Sequence, residues 1–350
     1  MKYKFYTTSE SAWQAMMETI QGARHSIFLE SFILIEDELT KKLLDAIKDK
    51  AVAGVNVKLI VDRVGNFWFG RLPVSEFIKN GIEILFFSRL LNRNHRKIMV
   101  VDGQTAFIGG VNIHGRYAKW TDLHVRLNGK FLIKKITQSF ARVYSLAGGA
   151  DPQVIRYLKC WRSDSPRYAI YHAKTFLIEH WPFRRSSTLS DYYKYKIAKA
   201  KNSIVIVTPY FIPHRWLINS LKQAIMRGVS VEVLIPQKTD SQFLDAANWI
   251  FAEELSRGAK FLFLPEMNHA KVLLIDGKEG MIGSNNIDAR SFDFNLETGI
   301  VFQQKDMIID LERILNKWRK SAVLYSEIQA WHPWYYRPLK FLIKLIKPIL

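Results

Sequence analysis

Two short stretches of this 350-residue chain carry side chains suited to phosphorus chemistry. His95-Arg96-Lys97 is followed after four residues by Asp102, and then by Gly109-Gly110-Val111-Asn112. His269-Ala270-Lys271 is followed after four residues by Asp276, and then by Gly283-Ser284-Asn285-Asn286. From His to the last Asn is 17 residues in both. On a strand, residues i and i+2 share a face, so each His projects with its Lys. An imidazole beside an ammonium is costly in a core, where the charge lacks a partner, but it suits a phosphate in a cleft. The lysine supplies charge and hydrogen bonds to non-bridging oxygens, and the histidine a nucleophile or a proton. Gly110 and Ser284 are expected to let backbone approach a substrate oxyanion, with Asn112 and Asn286 donating side-chain N–H groups to it.

Two such stretches do what one cannot. One histidine attacks phosphorus to give a phosphohistidine while the other protonates the leaving oxygen. The spacing does not order the two. With two lysines and two asparagines to neutralise the developing charge, no metal or cofactor is expected. A nucleophilic histidine also needs a carboxylate on its other nitrogen. Each half offers one at a matching distance: Asp122 lies 27 residues after His95, and Glu297 lies 28 after His269. Asp102 and Asp276 complete the catalytic motif, although their place at strand ends before a glycine points to holding a turn. His124, two residues after Asp122, shares its face and either supports it or is structural. His25, His114, His172, His180, His214 and His332 read as surface or structural.

The elements that position these residues repeat. SIFLESFI at 26–33 matches SIVIVTPYFI at 203–212, GVNVKLIV at 54–61 matches GVSVEVLI at 228–235, and GIEILF at 81–86 matches GAKFLF at 258–263. HRKIMVVD at 95–102 matches HAKVLLID at 269–276, and the offset stays between 174 and 177 throughout. The chain is a duplication with halves at 1–150 and 165–325. Val57–Val61 reads as a buried strand, Leu43–Val52 as a helix, and Gly54 as its stop. Strand–helix–strand alternation predicts two α/β halves with mostly parallel sheets around a pseudo-two-fold axis. Residues 147–167 read as loop, and 184–191 as a polar turn capping the next helix.

Lys and Arg total 51 against 32 Asp and Glu, a net charge of +19. So basic a surface seeks a polyanion, and charge alone does not separate nucleic acid from anionic lipid. One cysteine, Cys160, permits no internal disulfide and reads as incidental. The N-terminus lacks the apolar core of a signal peptide, and no uncharged run of 18 apolar residues occurs, so membrane contact is expected to be peripheral. Residues 331–350 read as an amphipathic in-plane membrane segment, with Lys340, Lys344 and Lys347 in one stripe behind two Trp and two Tyr. Phe67 to Leu72 reads as an exposed apolar loop near the strand ends where α/β folds place ligands.

The duplicated HxK(x)4D(x)6G pattern at 95–109 and 269–283 resembles the phospholipase D superfamily. HRKIMVVDGQTAFIGGVNI at 95–113, TPYFIP at 208–213, IGSNNIDARSFDFNLE at 282–297, LES at 29–31 and WTDLHVRLNG at 120–129 are similar to its bacterial cardiolipin synthase branch, in a short form without N-terminal membrane-spanning helices. His214 departs from that pattern, where an acidic residue often follows the TPYF-x-P block. The resemblance implies a phosphatidyl group carried on one histidine, with His95 as nucleophile and His269 as acid and base. It implies cardiolipin formed from two phosphatidylglycerols with release of glycerol. It also implies an anionic phospholipid membrane as partner rather than nucleic acid, and a peripheral place on the cytoplasmic face of a bacterial inner membrane. Hydrolysis to phosphatidic acid, or a nuclease-type phosphodiesterase, is the alternative in the same superfamily.

Overall fold

In a computed structural model of the chain, residues 2–69, 72–89, 91–159, 174–182 and 188–327 are described. Cys160 and the 331–350 segment lie outside them. The first half contributes β1 (Lys2–Thr8), β2 (Ser26–Ser31), β3 (Asn56–Asp62), β4 (Glu83–Phe87), β5 (Ile98–Val101), β6 (Thr105–Gly109) and β7 (Thr121–Asn128). The second contributes β8 (Thr175–His180), β9 (Ser203–Val207), β10 (Ser230–Pro236), β11 (Lys260–Leu264), β12 (Val272–Ile275), β13 (Glu279–Gly283), β14 (Glu297–Phe302) and β15 (Val323–Leu324). The sheets run β1-β7-β6-β5-β2-β3-β4 and β8-β14-β13-β12-β9-β10-β11, with β15 added at the end of the second. Strand for strand, the order is the same, as a duplication requires.

The sheets are mixed, which corrects the expectation of mostly parallel strands. Only β2-β3-β4 and β9-β10-β11 run parallel; the other neighbours are antiparallel. Helical crossovers keep direction among the parallel strands, whereas β5–β6 and β12–β13 are joined by tight turns, which reverse it. The 147–167 stretch is also not all loop. Gly148 and Gly149 end one helix, and Pro152 opens another over Pro152–Lys159, at the first helical position where a missing N–H costs nothing. The Phe67 stretch is likewise helical over Arg63–Phe69, with Phe67 77% exposed.

One face of each sheet packs on its own helices. Leu43, Leu44 and Ile47 of the helix Lys41–Val52 fill the first such core, and that helix ends at Ala53 before Gly54 at φ 88°. The opposite faces share a core between the halves, closed by the helices Lys130–Leu146 and Lys305–Ser321 with Phe140, Tyr144, Leu311 and Trp318. Tyr3 on β1 donates to Asp310 across this boundary at 2.7 Å.

Asp102-Gly103 and Asp276-Gly277 form the two tight turns, all four residues at positive φ (53°, 61°, 55° and 61°). Asp tolerates that region better than most residues. The Asp102 carboxylate accepts the backbone N–H groups of Arg24, His25 and Ser26 at 2.7–2.9 Å. Asp276 accepts those of Lys201, Asn202 and Ser203 at 2.7–3.1 Å. Each pins the entry to the strand beside the motif strand. Burial alone would raise both pKa values, and these amides hold them below the usual aspartate range. Counted with the catalytic residues on motif grounds, both aspartates are corrected to turn holders, at the opposite ends of β5 and β12 from the histidines. Because their folded pKa is depressed, their stabilisation is present at neutral pH and fades as pH falls through the aspartate range. Asp102→Ala should cost about 2–3 kcal/mol in urea unfolding at pH 7, and Asp102→Asn less, since Asn tolerates positive φ and keeps one acceptor. The gap between Asp102→Ala and wild type should shrink at low pH.

Candidate active site

His95 and His269 sit just ahead of β5 and β12, in extended segments that pair with the other half. His95 N–H donates to the Leu296 carbonyl at 3.1 Å and Leu296 N–H to Arg93 at 2.8 Å. His269 N–H donates to Thr121 at 2.7 Å, and Thr121 N–H to Met267 at 3.3 Å. These crossings put the start of β14 beside His95 and the start of β7 beside His269. The carboxylates therefore exchange halves. Glu297 lies 3.0 Å from Nδ1 of His95, and Asp122 lies 2.8 Å from Nδ1 of His269. The sequence offered one carboxylate per half, and each serves the histidine of the opposite half.

Both histidines are about nine-tenths buried or more, and their lysines are deeper still. Lys97 and Lys271 donate Nζ–H to the carbonyls of His95 and His269 at 2.6 Å and 2.5 Å. Burial pushes both imidazoles down to about 4. It brings Lys97 down to about 7 and Lys271 to about 8, the neighbouring carboxylates opposing the drop. Burial would raise Glu297 and Asp122, but the facing imidazoles and lysines keep both below the ordinary range. The empty site thus holds ionised carboxylates against neutral imidazoles. Nδ1 must then carry the hydrogen that meets the carboxylate, leaving the Nε2 lone pair free. Each lysine senses the other's charge, which places all four motif side chains in one electrostatic unit.

Gly110 and Ser284 serve the carboxylates rather than a substrate, a correction to their expected role. A Cβ at Gly110 would collide with the Asp122 carboxylate. Fully buried Ser284 donates through Oγ to Glu297. The half with the shorter Asp has Gly, and the half with the longer Glu has Ser. Ser291 Oγ and Asn295 Nδ2 also donate to Glu297, at 2.9 Å and 3.3 Å. Asn112 and Asn286 are buried beside the motifs, and the Oδ1 atom of each lacks a hydrogen-bond partner. His124 lies behind the site, its Nδ1 accepting from Val111 N–H at 3.4 Å.

Several residues escaped the sequence reading. Phe32 meets His95 edge-on at 4.8 Å, and Trp120 of the first half packs on His269 at 5.4 Å. Arg96, between His95 and Lys97, faces the opposite way and is fully buried. It lies 3.3 Å from Glu30 and 3.9 Å from Glu179 of the second half, donates to Ser139, and stacks over Trp181. The period of two was the available signal: if His95 and Lys97 face the cleft, residue 96 faces inward. Ala270 occupies that place in the other half.

Residues 16–144 and 193–319 each match the family model described as cardiolipin synthase, PLD-like domain. A cardiolipin synthase of Listeria monocytogenes serotype 4a (strain HCC23) is 31% identical over 386 residues, covering 99% of this chain and 75% of that protein. Cardiolipin synthase A of Pseudomonas aeruginosa (strain LESB58) is 30% identical over 90% of this chain and 66% of its own. Phosphatidylserine synthase from Haemophilus influenzae Rd KW20 shares the fold, with a TM-score of 0.75 at 16% identity over 99% of this chain and 95% of that one. With two copies of the family model in one chain and similarity to cardiolipin synthases along its length, the protein belongs to the cardiolipin synthase family of phospholipase D-like domains and is a phosphatidyltransferase of phospholipid biosynthesis.

Proposed function

We propose that the protein joins two phosphatidylglycerols into cardiolipin and releases glycerol, through a phosphohistidine on His95. The observation that carries this is the pair of neutral imidazoles, each oriented by a carboxylate of the opposite half and flanked by a lysine. In the first step Nε2 of His95 bonds to phosphorus and the P–O bond to glycerol breaks. The leaving oxygen takes a proton from His269. In the second step the acceptor hydroxyl gives its proton to His269, its oxygen bonds to phosphorus, and the P–N bond breaks. Lys97, Lys271, Asn112 and Asn286 hold the equatorial oxygens.

His269 must be protonated when the first step begins, although the empty site keeps it neutral. The substrate supplies the reason: a phosphodiester anion entering the site favours the imidazolium and raises its pKa. An anionic membrane is the proposed partner, with the protein held peripherally on the cytoplasmic face of a bacterial inner membrane. The net charge of +19 and exposed Phe67 and Leu91 support this. Among the described residues no helix is long and apolar enough to cross a membrane.

Phosphatidylglycerol vesicles should yield cardiolipin and free glycerol by mass spectrometry. Phosphatidic acid alone would instead mean a hydrolase using the same residues. With phosphatidyl-p-nitrophenol, whose leaving group needs no acid, His269→Ala should release one equivalent of nitrophenolate and carry a phosphatidyl adduct on the peptide containing His95. His95→Ala should form no adduct there, and an adduct on His269 would reverse the assignment. Glu297→Gln replaces the carboxylate that accepts the His95 Nδ1–H with an uncharged amide whose N–H end favours the wrong tautomer, so kcat should fall by about four orders of magnitude, the size of the effect when the orienting carboxylate of a catalytic histidine is amidated. The kcat/KM profile reports the free enzyme. It should drop as pH rises through about 7 to 8, where Lys97 and Lys271 lose their protons and phosphate its counter-charge.

A further inference from the structure

The surroundings of the two histidines differ in chemistry. Beside His95 the neighbours are aromatic and basic: Phe32 covers the imidazole, and the Lys97 ammonium lies 5.2 Å from the same ring. The nearby Asp62 carboxylate is taken up by the amides of Val64, Gly65 and Asn94. Beside His269 stand two phenols and two carboxylates. Tyr210 Oη donates to exposed Asp240 at 2.7 Å. Buried Tyr117, from the first half, is pushed up to about 12 by burial and by Asp240. Asp288, 6% exposed, is pushed up to about 6 by burial. Tyr117 packs at 4.4 Å on Trp120, which lies 5.4 Å from His269, and the Phe211–Ile287 bridge sets Tyr210 beside Asp288, so with Asp240 the four groups form one wall against the second motif, where both aspartates act on Lys271.

An independent observation points to a ligand there. The side chain of Asn286 reaches Asp288, yet its Oδ1, in a residue 7% exposed, has no partner. A buried amide oxygen left unpaired costs free energy unless something donates to it. Asn112 Oδ1 is likewise unpaired in the first half, but among the described residues no such wall stands beside it. His114 takes the place of Asp288 in the repeat, and its imidazole is paired with Asp37 at 2.9 Å.

Carboxylates accept hydrogen bonds from uncharged hydroxyls. Resting on the phosphatidyl-transfer reading above, we propose that Tyr117, Tyr210, Asp240 and Asp288 form the acceptor subsite, and that it selects alcohols bearing a second hydroxyl next to the reacting one. A glycerol headgroup presents such a diol, whether lipid-borne or free. One hydroxyl meets Nε2 of His269 and gives up its proton as its oxygen bonds to phosphorus and the P–N bond to His95 breaks. The other donates to Asp240 or Asp288.

The test is competition on phosphatidylglycerol vesicles between deuterated glycerol and ethanol at equal concentration. Deuterated phosphatidylglycerol, cardiolipin and phosphatidylethanol are read by mass spectrometry for wild type, Asp240→Asn and Tyr210→Phe. Asp240 is exposed and Tyr210 half-buried, and unfolding midpoints check each variant. A hydrogen bond to a charged group sets the scale of the effect. Relative to phosphatidylethanol, both diol products should fall about tenfold in Asp240→Asn and in the same direction in Tyr210→Phe. Unchanged ratios in a folded Asp240→Asn overturn the subsite. A fall in glycerol exchange alone, with cardiolipin unaffected, also overturns it, since the wall would then hold free glycerol only. Wild type that transfers phosphatidyl to no alcohol defeats the transferase reading itself, an outcome distinct from unchanged ratios.

Discussion

Everything at this site depends on two hydrogen bonds that cross between the halves, Glu297 to His95 and Asp122 to His269. A half taken alone would keep its His and Lys but lose the group that fixes the imidazole. Its carboxylate would keep donors of its own half, Ser284, Ser291 and Asn295 for Glu297 and the Leu123 N–H for Asp122, but would face no imidazole. Docking of the halves and assembly of the chemistry are therefore one event. A shared apolar core accompanies that docking, with Phe28 and Val100 of the first sheet and Val205 and Val272 of the second in one cluster.

Arg96 shows a second use of the boundary. Its guanidinium is fully buried and answered by one carboxylate from each half, Glu30 and Glu179. Burial raises Glu30, and Arg96 pulls it back. Placed one residue from His95 and one from Lys97, this cluster fixes the backbone that aims both. The second half does without it, Ala270 filling the space. The duplicated halves have thus kept the His–Lys pairs and diverged around them.

The repeat, the strand–helix alternation and the two motif pairs were legible because they are local: fixed spacing and a period of two suffice. The crossing of carboxylates was not, because within each half the distances 95 to 122 and 269 to 297 look self-sufficient, and only the bridges at Leu296 and Thr121 redirect them. The same limit explains the motif aspartates. Their spacing suggested catalysis, but a residue at positive φ after the last strand position is committed to the turn. Gly110 was read as room for substrate, when the room belongs to Asp122. Parallel strands were overestimated because four crossovers in the chain advertise themselves in sequence, while the antiparallel ladder from β5 to β1 is set by tertiary pairing.

The buried charges also explain how one environment prepares two roles. Desolvation keeps both imidazoles neutral and brings both lysines near neutrality while the site is empty. An entering phosphodiester anion reverses the balance, since it favours every cationic form within reach. Once one imidazole is protonated, repulsion across the site disfavours protonation of the other, so a single proton divides the pair into nucleophile and acid. The acidic residues Asp240 and Asp288 lie against only one motif and raise Lys271. The two half-sites are thus electrostatically unlike, Lys271 being raised by carboxylates that flank the second motif.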